Sequence, residues 1–379
     1  MTGPGEKKCC FIRVDASAII GHGHFMRCLT LADALQQEEY RVHFLCRQLP
    51  DHFQAILAKR NMTCSLLDTP DEPDPGDGPA HSAWLGTSQA TDARACLDHI
   101  DAAWRDSCRR QRILVVDHYG LDYRWERLLG KHMHRIMVID DIADREHDCD
   151  LLLDQNLYAD MERRYRGKIP LHCRLLLGPK FALLRKSFSI LRRRIQPRRR
   201  LRRILIFFGG SDQANCTGRA LEALNGLPVP LTVDVVLGAE QPNRHEIKKI
   251  CNKKQYECHV QTDRMAELMA RADLAIGASG TASWERCCLG LPAILVTLAD
   301  NQVGVAKALK KYGACLYLGD KKNITTQALG TALESLLDNQ KSLEKMSVQA
   351  YRLVDGLGSK RITKQICATG SNDYNQSET

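Results

Sequence analysis

The stretch GASGTASWERCCLGLPAILVTLADNQ, Gly277–Gln302, decides the fold. Leu274 to Ala278 is a short apolar strand, Ser279-Gly280-Thr281 is a turn, and a helix and a second apolar strand come after it. Backbone amides of Ser279, Gly280 and Thr281 at such a turn are left unpaired at a helix N-terminus, where the dipole adds about half a positive charge. The spacing therefore predicts an anion site that holds a phosphate without a metal. Glu285, one turn inside the helix, is placed to accept hydrogen bonds from ribose hydroxyls. Its simpler role is that of an acidic residue in a first turn, favourable by roughly 0.3–1 kcal/mol. A capping box needs Ser or Thr at position 282, which is Ala282.

The same rhythm runs outward in both directions. Before it, RILIFFGGSD opens a unit that continues with a helix near Gln213 to Leu224, the strand LTVDVVLG and a helix near Asn243 to Asn252. After it, Leu329, Leu333, Leu336 and Leu337 mark an amphipathic helix. The N-terminal half alternates likewise: CFIRVDAS, a helix from GHGHF onward, RVHFLCR, a helix near Asp51 to Arg60, and MTCSLLD. An acidic Pro/Gly-rich loop from Asp68 to Pro79 interrupts it. The rhythm resumes with a helix around Thr91 to Arg105, RILVVDHYG, a helix around Tyr123 to Lys131, RIMVIDD and LLLDQN. This predicts an α/β protein of two Rossmann-like, doubly wound domains facing each other across a cleft. The expected boundaries are 1–186 for the first domain, 187–203 for a linker, 204–370 for the second domain and 371–379 for a disordered tail.

Composition agrees with a globular protein of two domains: 379 residues, 44% hydrophobic and 26% charged. No apolar run approaches the roughly 20 residues that span a bilayer, which excludes an integral helical membrane protein. No apolar segment of signal-peptide length precedes the first strand, so a cytoplasmic location is expected. The sixteen cysteines occur singly or as adjacent pairs, never as C-x-x-C, and are expected to be reduced, small buried hydrophobes. The net charge of +9 is concentrated in RRRIQPRRRLRR, Arg192–Arg203, whose eight arginines leave +1 for the remainder. That run is expected to be a solvated linker, and no nucleic-acid partner is inferred from it.

At the first strand-to-helix turn, Gly21, His22, Gly23 and His24 are set for close approach to a ligand. A dinucleotide fingerprint needs glycine at position 26, which is Met26. His24 is the candidate base, since an ordinary histidine takes up a proton near neutral pH and such a role contributes roughly 10²–10⁴ in rate. A metal pair from His22 and His24 lacks the third ligand of a catalytic zinc, so no metal and no cofactor are expected. Gly209, Gly210, Ser211 and Asp212 form a second candidate phosphate turn that also reads as a plain helix cap. Asp117, His118 and Tyr119 end one strand, and Asp140, Asp141, Arg145 and His147 stand after another. All are expected to reach the crevice at the carboxyl ends of the strands.

Taken in order, RVDASAIIGHGHFMRCLTLADAL, WLGTSQATDA, VVDHYGLDYRWE, DDIADREHDCDLLLDQN, LLGPKFALLR, FFGGSD and GASGTASWE followed by ADNQ resemble the UDP-sugar hydrolases of pseudaminic acid biosynthesis. The resemblance covers nearly the whole chain. It implies a GT-B fold, with UDP held by the C-terminal domain and a diacetamido trideoxy-altrose by the N-terminal one. It also implies metal-independent, inverting release of UDP by attack of water at the anomeric carbon. It carries the catalytic role onto His24, the nucleotide-binding glutamate onto Glu285 and the asparagine of an Asn-Gln motif onto Asn301. Gly23, Asp117, Tyr119, Gly210, Ser279, Gly280, Thr281 and Gln302 complete the expected substrate-binding set. His22 departs from the family, which carries a small polar residue in its slot. The expected partners are a UDP-sugar and water, and the expected state is a monomer. The alternatives are a GT-B glycosyltransferase with an acceptor alcohol in place of water, and a noncatalytic nucleotide-sugar binding protein.

Overall fold

The computed structural model describes residues 8–17, 19–69, 78–104, 112–210, 212–239, 241–322 and 324–368, with backbone alone for 103 and 104. Ser211, the tail 371–379 and most of the acidic Pro/Gly-rich loop lie outside the described residues.

Every strand pairing is parallel, and the apolar runs explain why: strands buried on both faces need no polar alternation. The first sheet consists of β1 (Lys8–Val14), β2 (Tyr40–Cys46), β3 (Thr63–Leu66), β4 (Arg112–Asp117), β5 (Arg135–Ile139), β6 (Leu151–Asp154) and β7 (Arg174–Leu177). Its strand order is β3-β2-β1-β4-β5-β6-β7. Its crossover helices are α1 (Gly23–Gln36), α2 (Asp51–Lys59), α3 (Gln89–Trp104) and α4 (Tyr123–Gly130), and α5 (Lys186–Arg192) leads out of the domain. The second sheet holds β8 (Arg203–Phe207), β9 (Thr232–Leu237), β10 (Glu257–Val260), β11 (Leu274–Ala278), β12 (Ala293–Thr297) and β13 (Cys315–Asp320), in the order β10-β9-β8-β11-β12-β13. Its helices are α6 (Cys216–Ala223), α7 (Arg244–Lys254), α8 (Met265–Arg271), α9 (Ala282–Cys288), α10 (Asn301–Tyr312), α11 (Thr326–Asp338) and α12 (Gln340–Leu353), and α13 (Gly358–Cys367) is the last helix among the described residues.

Each sheet carries an apolar core on both faces. In both, the order reverses between the first and fourth strands of the domain, β1 and β4 in one and β8 and β11 in the other. That reversal opens a crevice at the carboxyl ends. The packing that keeps the second crevice narrow is explicit. A Cβ on Gly238 would lie 1.7 Å from the Gly210 carbonyl oxygen, so only glycine lets these two strand ends approach.

Two expectations about the joining segments change. The arginine run is not simply solvated. Arg198 is buried, and its guanidinium donates to the carbonyls of Met269, Ala270 and Ala272 at the end of α8 and of Leu289 just past α9. Arg192 donates to Cys288 and Tyr351 carbonyls and stacks on the Tyr351 ring. Helix C-termini present unpaired carbonyls and a partial negative charge, and these arginines satisfy both. The second difference is α13, expected with the C-terminal domain. Ile362 and Ile366 pack into the N-terminal core, and Arg135 donates to the carbonyls of Gln365 and Ile366. Of the cysteines among the described residues, fourteen are free, mostly buried, and Cys9 is disulfide-bonded, which departs from the expectation that all are reduced.

Candidate active site

Two adjoining cavities lie between the domains at the strand carboxyl ends. The larger, about 460 Å³, is walled by Gly21 to Gly23 and Met26 on one side. Arg185, Phe207 to Gly210, Gly280 to Ala282, Glu285 and Gln302 wall it on the other. The smaller, about 160 Å³, is walled by His24, Arg27, Tyr119, Asp141 and Asn156 from the first domain and Ser279 to Thr281, Asn301 and Gln302 from the second. Gly23 marks the seam, for a Cβ there would sit 3.5 Å from Thr281 Oγ1.

β1 ends inside the sheet and the chain turns through Gly21, whose φ of +82° lies in the region that favours glycine. α1 then begins at Gly23 with His24 on its first turn and Arg27 one turn on, facing the same way. β4 is the neighbour of β1, so its last residue, Asp117, arrives beneath that face. His24 Nδ1 lies 2.6 Å from Asp117 Oδ1; Arg27 donates from Nη2 to the same oxygen and from Nε to Oδ2, both at 2.6 Å. The remaining Arg27 nitrogen, Nη1, donates to Asp141 at 2.9 Å, and Tyr119 donates its hydroxyl to the other Asp141 oxygen. Burial pushes the Asp117 carboxyl up, but the Arg27 guanidinium and His24 outweigh it and hold it well below the usual carboxylate range. Burial and then Asp141 raise the Tyr119 phenol, so it stays protonated. With Nδ1–H donated to a carboxylate, the Nε2 lone pair of His24 is the free one, the arrangement of an oriented general base. The Tyr119 ring meets His24 edge-on, 4.7 Å between centroids, and Trp84 stacks behind Tyr119 at 5.7 Å.

The second domain supplies donors. Among the described residues no acceptor engages the amides of Gly280, Thr281 and Ala282 at the start of α9. The Ser279 amide is different: it continues the β-ladder to the Val296 carbonyl at 3.1 Å, so it is not one of the open donors expected from the sequence. Its hydroxyl, by contrast, is buried in the small cavity wall without a partner. Glu285 reaches the larger cavity 3.9 Å from Arg185, and burial raises its carboxyl while Arg185 opposes the shift. Asn301 opens α10 and faces the small cavity. Gln302 touches both cavities and accepts from the Leu298 amide, bracing the turn before α10.

The structure thus brings together His24, Gly23, Tyr119, Gly210, Ser279 to Thr281, Glu285, Asn301 and Gln302. It does not put Asp117 on the cavity wall. That carboxylate is enclosed by Arg27, His24 and Cys28, so it orients the His24 ring and is closed off from both cavities. His118 turns inward to Asp15, 3.2 Å away, and Asp140, Arg145 and His147 form a buried network with Glu126 rather than reaching the crevice. Asp212 accepts from the amides of Cys216 and Thr217 in the first turn of α6, while the N-cap itself is Asn215, which accepts from the Gly218 amide. His22 packs edge-on against Phe53, 5.0 Å between ring centroids. Arg27, Asn156 and Arg185 are wall residues that the sequence reasoning misses. An arginine on the apolar face of RCLTLADAL is the one available signal. Among the described residues one trio, Asp234, Glu257 and His259, has metal-ligand spacing, but it lies on β9 and β10 outside both cavities, and Arg203 and Arg271 already pair with its carboxylates.

Residues 204–366 match the glycosyltransferase family 28 C-terminal domain. The spore coat polysaccharide biosynthesis protein SpsG of Bacillus subtilis is 28% identical over 210 residues, 55% of this chain and 61% of that protein, so the match spans less than two thirds of that relative. The UDP-2,4-diacetamido-2,4,6-trideoxy-beta-L-altropyranose hydrolase of Campylobacter jejuni is 25% identical over 203 residues, 53% of this chain and 72% of that one. In three dimensions the MurG protein of Acinetobacter baumannii superposes with a TM-score of 0.62 at 17% identity, covering 95% of this chain and 99% of that one. UGT2 of Phytolacca americana, in complex with UDP-2fluoro-glucose and pterostilbene, gives 0.63 at 14% identity over 95% and 99% of the two chains. The chain is therefore a two-domain α/β protein of the GT-B glycosyltransferase fold, whose C-terminal domain matches that of glycosyltransferase family 28.

Proposed function

We propose that the protein cleaves the bond between the anomeric carbon of a sugar and UDP, with water as the nucleophile. The substrate class is a UDP-linked diacetamido trideoxy-altrose, the diphosphate lies against the open amides of Gly280, Thr281 and Ala282, and the ribose lies by Glu285. The oxygen of water attacks the anomeric carbon from the face opposite UDP. The proton passes to His24 Nε2, and the C–O bond breaks with its electron pair leaving on UDP, so configuration inverts. UDP is a stable leaving group, and amide donors aimed at its developing charge do the work of a strong acid. Asp117 and Arg27 hold the imidazole, and the N-terminal wall of Tyr119, Asp141 and Asn156 faces the sugar.

The observation that carries this reading is that an imidazole with an oriented ring and a set of unengaged amides, donated by different domains, wall the same 160 Å³ cavity. Its size supports water, because a sugar filling it leaves little space beside His24 for a bulky acceptor. A second reading, transfer to an acceptor alcohol, is favoured by the family 28 match and by the transferases among the solved structures of the same fold. Incubation with the UDP-sugar, monitored by NMR of the anomeric proton and of UDP, separates the two. Free sugar of inverted configuration appearing without acceptor supports hydrolysis; turnover only with an added alcohol supports transfer. UDP binding with no turnover under either condition sinks both.

A further inference from the structure

Arg27 has no part in bond making or breaking at the anomeric carbon, yet its side chain makes as many polar contacts as Asp117 itself. Its guanidinium is 3% exposed and sits between two carboxylates, with three of its bonds to them at 2.6 to 2.9 Å and Nη2 only 3.2 Å from His24 Nδ1. We propose that Arg27 is a positioning residue whose fixed charge keeps the imidazole of His24 in its basic form between turnovers, by serving as the shared counter-charge of Asp117 and Asp141. This rests on His24 being the base.

Arg27 and Asp117 are buried, so the charges around His24 are weakly screened. A buried carboxylate whose only cationic partner is an imidazole draws a proton onto that ring, and a ring already protonated cannot accept one from water. Here the carboxylate has a better partner. An arginine is charged at all working pH, and its planar fork covers both Asp117 oxygens while leaving Oδ1 able to accept from His24 as well. The groups facing His24 are Arg27 and Cys28 on its own helix, Asp117 and Tyr119 at the end of β4, and Asp141 after β5. Tyr119 and Cys28 are held neutral, and among the described residues the facing wall of the second domain contributes uncharged Ser279, Thr281, Asn301 and Gln302. Arg27, Asp117 and Asp141 therefore sum to one negative charge with a neutral imidazole and to zero once it carries the proton. The set tolerates the proton during the reaction without demanding it at rest.

Three variants of the full chain test this, each read as the pH profile of kcat/KM for UDP release from the UDP-sugar, with thermal melts to establish folding. Arg27→Met removes a like charge beside the ring, so the acid limb is expected to move to higher pH by about 1–3 units, the scale of one neighbouring charge. Arg27→Lys keeps the charge without the fork, so its limb is expected to stay within about half a unit of wild type while the plateau falls. Asp141→Asn leaves Arg27 serving Asp117 alone, and its limb is expected to move to lower pH; this variant keeps the arginine and so remains informative if Arg27→Met does not fold. A uniform drop in rate with unmoved limbs in Arg27→Met and Asp141→Asn reduces Arg27 to scaffolding and overturns the proposal, as does a limb in Arg27→Lys displaced as far as in Arg27→Met. Failure of the underlying reading looks different: His24→Asn then keeps its activity.

Discussion

Asp117→Asn isolates what the carboxylate contributes, because the amide has the same shape. Asp117 Oδ1 takes two donors from the site, His24 Nδ1 and Arg27 Nη2, while Oδ2 takes Arg27 Nε and the Cys28 thiol. The amide oxygen is therefore best placed where Oδ1 was, keeping the ring in position, and the amide nitrogen is turned against Arg27 Nε. Geometry is retained and charge is lost. The guanidinium, 3.2 Å from His24, then faces a proton-accepting ring with Asp141 as its one remaining counter-charge. A like charge at such range opposes protonation by about 1–3 pK units, which is roughly 1.4–4 kcal/mol in the transition state and a fall of about 10- to 10³-fold in kcat. Breaking a buried ion pair also costs about 3–5 kcal/mol of stability. Steady-state UDP release gives kcat and KM separately, and urea titration gives the stability. A folded Asp117→Asn protein with kcat within about threefold of wild type would refute the assignment of Asp117 as the partner of the base.

Three further outcomes are expected. His24→Asn lowers turnover by at least about 10²-fold with KM largely kept, and activity within tenfold of wild type removes the residue from its role. Glu285→Ala raises KM for the UDP-sugar about 10- to 100-fold, the scale of losing hydrogen bonds to a charged group, with kcat little changed; an unaltered KM contradicts the ribose assignment. His147 concerns stability rather than rate. Burial disfavours its charged ring, but Glu126 at 2.7 Å and Asp140 prevail and raise it to about 9. A raised histidine contributes fully below its unfolded value near 6.5 and loses that contribution as pH climbs through 9. Between those limits the wild type is expected to lose about 3 kcal/mol that His147→Gln does not lose, measured by denaturant unfolding at several pH values. Equal pH dependence in the two proteins contradicts it.

Legibility of the fold in the sequence comes from the way parallel sheets are buried. Strands such as RILVVD and AILVT are covered on both faces, so they stand out as apolar runs closed by polar residues, and the turn after each strand is where a site belongs. The edge strands β7 and β10 do not stand out because they are short and mostly half-exposed. Asp117 is visible in the sequence but its task is not. Its bond to His24 spans 93 residues and depends on β4 lying beside β1, and strand order leaves no trace in local periodicity. Asp140 and Asp141 are adjacent in sequence and opposite in fate, one sunk beside Arg145 and the other on the cavity wall, since successive side chains leaving a strand point to opposite sides. The arginine run reads as solvated because nothing local reveals that two helix C-termini end against it.

The return of α13 to the first domain means that the chain crosses between the halves twice, once through the α5 segment and once before Gly358. A Cβ on Gly358 would stand 2.2 Å from the Ala182 carbonyl oxygen, so the second crossing is clamped tightly to the first. Two neighbouring straps join the halves at one place, so a change in either crossing is felt by both. They also exchange what the chain ends affect. Clipping the last helix strips Ile362 and Ile366, about 1.5–3 kcal/mol apiece, from the half that carries the imidazole, and leaves the cores of the second half whole.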